Sequence, residues 1–174
     1  MNPLDDLARQ IERAEEAGVI LEFMDGIPTW EAFPSPIHQQ RLFDIAYGLR
    51  TEADKSEGPC GCHVYLDMYI RFGETSFKRP DISIFCDPVP ETREVASVVP
   101  EAVIEVLSPG YEKKDLEFGV PFYLSHGVKD VIVVDPESTK VLNFDATSKR
   151  ELTRSTSDST VDALLASNTH SSAN

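Results

Sequence analysis

Two carboxylates stand inside apolar runs of this sequence. Asp81 opens "DISIF" directly after Arg79-Pro80, and Glu105 sits within "AVIEVL". A carboxylate in a buried strand is unfavourable unless it is ion-paired, hydrogen-bonded or bound to a metal. Asp81 could start a strand, and Glu105 could pair with Arg79 or a helix N-terminus, so the runs alone leave these options open. Other chemistry-bearing residues are Glu22, His38, Lys113, Lys114 and Asp115. "CGCH" at 60–63 has metal-ligand types, but Cys86 alone does not complete a second Cys/His cluster for zinc. Asp135 before Pro136 reads as a strand-end turn residue. The chain carries no glycine-rich phosphate loop, no nucleophile elbow and no basic aromatic stripe.

The elements that position these groups can be read from periodicity. "PLDDLARQIERAEEAG" repeats Leu4, Leu7, Ile11 and Ala14 at helical steps, and Gly18 closes it. "VILEFMDGIPTWEAF" reads as two strands joined at Asp25-Gly26. A second helix starts at "PSPIH", with Ser35 as N-cap, Pro36 in the first turn, and an apolar stripe of Ile37, Leu42, Ile45, Ala46 and Leu49. "HVYLDMYIRF", "DISIF" and "AVIEVL" read as three strands. The stretch "GYEKKDLEFGVPFYLSHG" is helix-like, with Pro121 predicting a kink or break. "DVIVVDP" and "KVLNFDA" close the sheet. This order predicts a mixed central β-sheet flanked by helices, an α/β sandwich. One domain is expected over 1–146: a helix at 1–18, a hairpin at 19–33 and a core at 36–136. Residues 147–174 read as a polar, flexible tail with one short helix near "VDALLA".

Composition sets outer bounds. With 174 residues the chain can bury a core without disulfide or metal staples. No run approaches the ~18 apolar residues of a membrane span, and the acidic, broken start is unlike a signal peptide. Three cysteines fit reduced thiols in a cytoplasmic protein. The net charge of −14 is spread along the whole chain. Such a surface repels phosphate backbones and argues against strong non-specific DNA affinity, although bound cations can reverse the field in a cleft.

The motifs, taken in order, resemble a large bacterial family of restriction endonucleases with a PD-(D/E)XK core, formerly a domain of unknown function. They are "EFMDG" (22–26), "PSPIH" (34–38), "RPDI" (79–82), "IEVLSP" (104–109), Asp115 and "GVKDVIVVDP" (127–136). The resemblance covers roughly residues 19–145 and implies a restriction-endonuclease-like three-layer sandwich. It also implies an endonuclease that hydrolyses DNA phosphodiester bonds with Mg²⁺ or Mn²⁺. Asp81 and Glu105 would hold the ion, the Val106 carbonyl would be a third ligand by family analogy, and His38 would be a further ligand or a supporting residue. A homodimer is expected, since cutting two antiparallel strands suits a two-fold axis.

The chain departs from the pattern at the lysine. The superfamily position, two residues after the acid, is Leu107, and the family's helix position is Gly119. Glycine cannot orient a water or stabilise transition-state charge. Lys113 or Lys114 could substitute, and Lys114 is taken as the third catalytic residue. The alternative is a catalytically degenerate nuclease fold that binds nucleic acid or protein.

Overall fold

The computed structural model describes residues 3–31, 33–55, 63–91, 95–138 and 140–152. Its two β-sheets are built from ten strands, against three α-helices and one π-helical stretch. Helix α1 (Pro3–Glu16) buries Ile11 and half-buries Leu7 and Ala14, and Gly18 follows in the left-handed region at φ 73°. Strands β1 (Leu21–Met24) and β2 (Ile27–Trp30) pair through Met24 and Ile27. Their turn, Asp25 at φ 50° and Gly26 at φ 82°, has the two positive φ values of a type I′ hairpin.

Helix α2 (Pro36–Lys55) starts as expected. The Ser35 hydroxyl accepts the backbone N–H of His38 at 3.3 Å, which caps the helix and anchors His38 in its first turn. Leu42, Ile45 and Leu49 are buried, whereas Ile37 is exposed and lies outside the core stripe.

The expected strand "HVYLDMYIRF" is divided. β3 (His63–Leu66) ends at Asp67, whose φ of 54° turns the chain out of the sheet, and β4 (Ile70–Arg71) joins a different sheet. The expected strand "DISIF" is β6 (Ile82–Phe85), and it is preceded by a short strand the sequence did not announce, β5 (Phe77–Lys78). Pro80 lies between them, where it interrupts no ladder. The result is a small sheet in the order β2-β1-β5-β4, packed on α1 through Leu21, Phe23 and Phe77. The larger sheet follows the order β10-β9-β8-β7-β6-β3 and includes β7 (Ala102–Val106), β8 (Asp130–Val134), β9 (Val141–Phe144) and β10 (Lys149–Leu152). Among the strands of the described residues, β7 and β8 are the pair that runs parallel, which requires the helical crossover between them. β10 pairs antiparallel with β9 and occupies part of the segment expected as a tail. "VDALLA", Cys60 and Cys62 lie outside the described residues.

The crossover is a π-helical stretch (Lys114–Gly119) that runs into α3 (Val120–Ser125). The Val120 N–H donates to the Asp115 carbonyl, five residues back. Pro121 follows directly. In a continuous α-helix its ring would clash with the carbonyl four residues earlier. The wide turn relieves that clash, so the helix widens instead of breaking.

α2 covers one face of the large sheet, over Ile82, Ile104, Ile132 and Val134. α3 covers the other, where Phe122 and Tyr123 pack with Phe72, Val103 and Val131. Ile104 is wholly buried beside Glu105. Ile104→Ala should lower unfolding free energy by about 2–5 kcal/mol in urea titration, from lost transfer energy and the cavity left behind.

Candidate active site

The register of β6 and β7 brings the two acids together. Ile82 pairs with Ile104, so the next antiparallel pair is Asp81 and Glu105. The Asp81 N–H lies 3.4 Å from Glu105 Oε2, and Asp81 Oδ2 accepts the Val106 N–H at 2.7 Å. His38 Nε2 is 3.2 Å from the same Oδ2. Tyr123, with no exposed surface, donates its hydroxyl to Glu105 Oε1 at 2.6 Å. Each carboxylate is therefore held by its own partners. Arg79 is not paired with Glu105. Its guanidinium binds the Asp67 carboxylate at 2.6 Å and lies over the Tyr69 ring.

Burial and the neighbouring Asp81 hold the Glu105 carboxyl well above its usual range, despite the opposing effect of Lys78. Burial also lifts Asp115, to about 6, with Asp81 and Glu22 adding to it against Lys114 and Lys78. Burial opposes charge on His38, but the hydrogen bond and charge of Asp81 outweigh it and raise the ring above its ordinary value.

A cavity of about 60 Å³ opens beside these groups, lined by His38, Asp81, Glu105, Val106 and Asp115. That is room for a small cation with a few waters. Among the described residues no three His, Cys, Asp or Glu side chains converge as a ready metal cage. His38 is brought to the site, but its Nε2 faces Asp81, while Nδ1 is buried without a partner. The donor set fits Mg²⁺ or Mn²⁺ better than a cation that demands a full protein cage. Two oxygen ligands and a backbone carbonyl suffice where water completes an octahedron.

A second charge cluster adjoins the acids. Glu22, on β1, is wholly buried and forms an ion pair with Lys78, itself 1% exposed. The other Glu22 oxygen accepts the Arg79 N–H at 2.7 Å. Lys114 Nζ lies 3.4 Å from Glu22 and 3.7 Å from Asp115, and it is ion-paired with Glu31. Burial would raise Glu22, but Lys78, Glu31 and Lys114 bring it down to about 2. Burial raises Glu31 to about 8, with the neighbouring Glu22 reinforcing it. Lys114 is raised, because Glu22, Glu31 and Asp115 outweigh its burial.

The π turn is what places Lys114 here. In a continuous α-helix, positions nine residues apart such as 114 and 123 fall about half a turn out of phase. A widened turn rotates the earlier residues by up to about 100°, carrying Lys114 and Asp115 toward the face of Tyr123. Lys113 makes no comparable approach among the contacts described. Sequence reading overlooked Lys78 and Glu31. Lys78 stands just before "RPD", outside the strands read from the sequence, and Glu31 lies in the run expected as the hairpin's second strand.

The family comparison decides the relationship. Residues 4–170 match the Uma2 family, described as "Putative restriction endonuclease". The chain belongs to the Uma2 family. No curated protein sequence matches it. Among solved structures it is similar to one described as a putative nuclease belonging to DUF820, from Anabaena variabilis ATCC 29413. The identity is 18%, the TM-score is 0.66, and the match covers 78% of this chain and 77% of the other. At that identity the match speaks for the fold, which is restriction-endonuclease-like. The described helices include none long and apolar enough to cross a membrane.

The like-charged pair gives a stability prediction. A carboxyl whose folded-state pKa is raised destabilises the fold progressively as pH climbs from its ordinary range toward the raised value. Without divalent ions, Glu105→Gln should therefore melt higher than wild type at pH 8. The difference should shrink toward pH 4.5. A deficit in the variant that grows as pH rises would show that the Glu105 charge is stabilising.

Proposed function

We propose that this Uma2 protein is a Mg²⁺- or Mn²⁺-dependent endonuclease hydrolysing DNA phosphodiester bonds. The observation that supports it best is the register placing Asp81 opposite Glu105 beside a small polar cavity. Asp81, Glu105 and the Val106 carbonyl would hold the ion. When bound, the ion would supply charge neutralisation at the phosphate and a more acidic water.

The chain's own residues prepare that site. The Val106 N–H and His38 fix Asp81, and the Tyr123 hydroxyl fixes Glu105, so neither acid must reorganise when an ion arrives. Lys114 reaches the pocket's acidic wall at Glu31 and, 3.7 Å away, at Asp115. It takes the role of stabilising developing phosphate charge, which the glycine at 119 cannot. Two copies about a two-fold axis would present one such site to each strand. The acidic surface implies that DNA engages mainly when the metal is bound.

Nicking of supercoiled plasmid tests this. Wild type should nick with millimolar Mg²⁺ or Mn²⁺ and not with EDTA. Asp81→Asn should abolish both nicking and any metal-induced rise in melting temperature. Lys114→Met should lower the rate by ~100- to 1,000-fold, the usual loss for one preorganised electrostatic contact. Gly119 is buried, but a Cβ there meets only the Lys114 carbonyl oxygen at 3.5 Å, so the backbone admits a side chain, and circular dichroism should show Gly119→Lys folded before it is assayed. A metal-binding wild type that never cuts, even with Gly119→Lys, would instead favour the degenerate binding module.

A further inference from the structure

Lys78 touches neither solvent nor the 60 Å³ cavity, yet it sits between the site's two halves. Phe23 pairs with Phe77, so Glu22 and Lys78 are the adjacent cross-strand pair of β1 and β5. Their ion pair is closed to water, with the Lys78 side chain 2% and the Glu22 side chain 0% exposed. A buried ammonium normally loses its proton, but Glu22, Glu105 and Glu31 outweigh the burial and keep Lys78 charged.

From this position Lys78 reaches in two directions. Toward the helix, Glu22 Oε2 is shared between Lys78 and Lys114, so the carboxylate that Lys78 fixes is one of those that fix Lys114. Toward the acid pair, the Lys78 ammonium lies 5.7 Å over the ring of Tyr123, whose hydroxyl binds Glu105. It also lies 3.7 Å from Glu31, a second of the three acidic partners of Lys114.

We propose that Lys78 is a positioning residue: through Glu22 it holds the Lys114 ammonium against Asp115 on the wall of the acidic cavity, supplying from the small sheet the fixed positive charge that Gly119 of the crossover helix lacks. This rests on the nuclease reading for its consequence in catalysis, but not for the geometry it asserts. Two effects of opposite sign follow. Losing Lys78 frees Lys114 and slows the reaction. It also removes a cation that repels a divalent ion from Asp81 and Glu105, so metal should bind more tightly. Simple structural damage would weaken both.

The test uses the full chain as Lys78→Met and as the double variant Glu22→Gln, Lys78→Gln. The double variant replaces the buried ion pair with two neutral amides that can bond to each other, which protects folding where the single variant leaves Glu22 uncompensated. Lys114 reactivity would be measured by limited acetylation with an activated ester and mass spectrometry, with Lys129 and Lys140 as internal references. Mn²⁺ affinity would be measured by calorimetry, and nicking by kcat and KM. In the double variant Lys114 acetylation should rise ~10-fold relative to the references, as expected when about 1.4 kcal/mol of restraint is lost. Its kcat should fall ~100-fold with KM little changed. Lys78→Met should bind Mn²⁺ several-fold more tightly than wild type. Unchanged Lys114 reactivity in the folded double variant would overturn the proposal, as would Lys78→Met weakening Mn²⁺ binding together with stability. If Lys114 reactivity rises as expected but wild type does not nick, the positioning role stands and the nuclease reading falls.

Discussion

Pairing Ile82 with Ile104 leaves Asp81 and Glu105 as the next opposed residues of two antiparallel strands. Like charges directly opposite are destabilising in a sheet, and here both are half-buried at the wall of a small cavity. Slipping the register by one residue would move every side chain of β6 to the other face and empty the core over α2. The hydrophobic pattern therefore enforces the acid pair, because the apolar residues on either side cannot be buried without bringing the carboxylates together. The surrounding groups can be understood as responses to that constraint. The Val106 N–H and His38 take one oxygen of Asp81, and the Tyr123 hydroxyl takes one of Glu105. What these donors do not supply is a neutralising charge on the pair itself.

Charge is supplied nearby. Lys78 and Lys114 lie among Glu22, Glu31 and Asp115, where each carboxylate is close to at least one ammonium. This network also joins the two sheets, which share an apolar core through Ile70, Met24 and Leu116. β1 and β5 belong to the small sheet, whereas the π stretch is the crossover of the large one. A buried ionic network is weak evidence for stability. Its position between the sheets, against the helix that carries Tyr123, fits a role in holding the site's geometry. The π turn serves the same end, since Pro121 forces a wide turn and the wide turn rotates Lys114 inward.

Much of this was legible in the sequence. The Asp25-Gly26 hairpin, the Ser35 cap, the two acids in apolar runs and the parallel β7–β8 crossover all followed from local chemistry and spacing. The division into two sheets did not. "HVYLDMYIRF" alternates as one strand throughout, and only the backbone shows that Asp67 takes a left-handed conformation and sends the chain elsewhere. β10 was hidden because its four residues, Lys149–Leu152, contain a single apolar side chain and pair at an edge. Lys114 was read as a candidate replacement for the missing lysine, but its burial depended on a π turn that α-helical counting cannot anticipate. Lys78 was missed because a buried lysine is rare and its partner, Glu22, is 56 residues away. Family resemblance drew attention to Gly119 and away from the other sheet, where the charge resides.

The most direct test of the central claim is where a divalent ion sits. A crystal grown or soaked with Mn²⁺ and measured at a wavelength with strong manganese anomalous scattering would locate it without reference to any activity. The account predicts one anomalous peak in the cavity, about 2.0–2.3 Å from a carboxylate oxygen of Asp81 and one of Glu105, with water completing the shell. A peak bound elsewhere, or an empty cavity with Asp81 and Glu105 sharing a proton at saturating Mn²⁺, would contradict it.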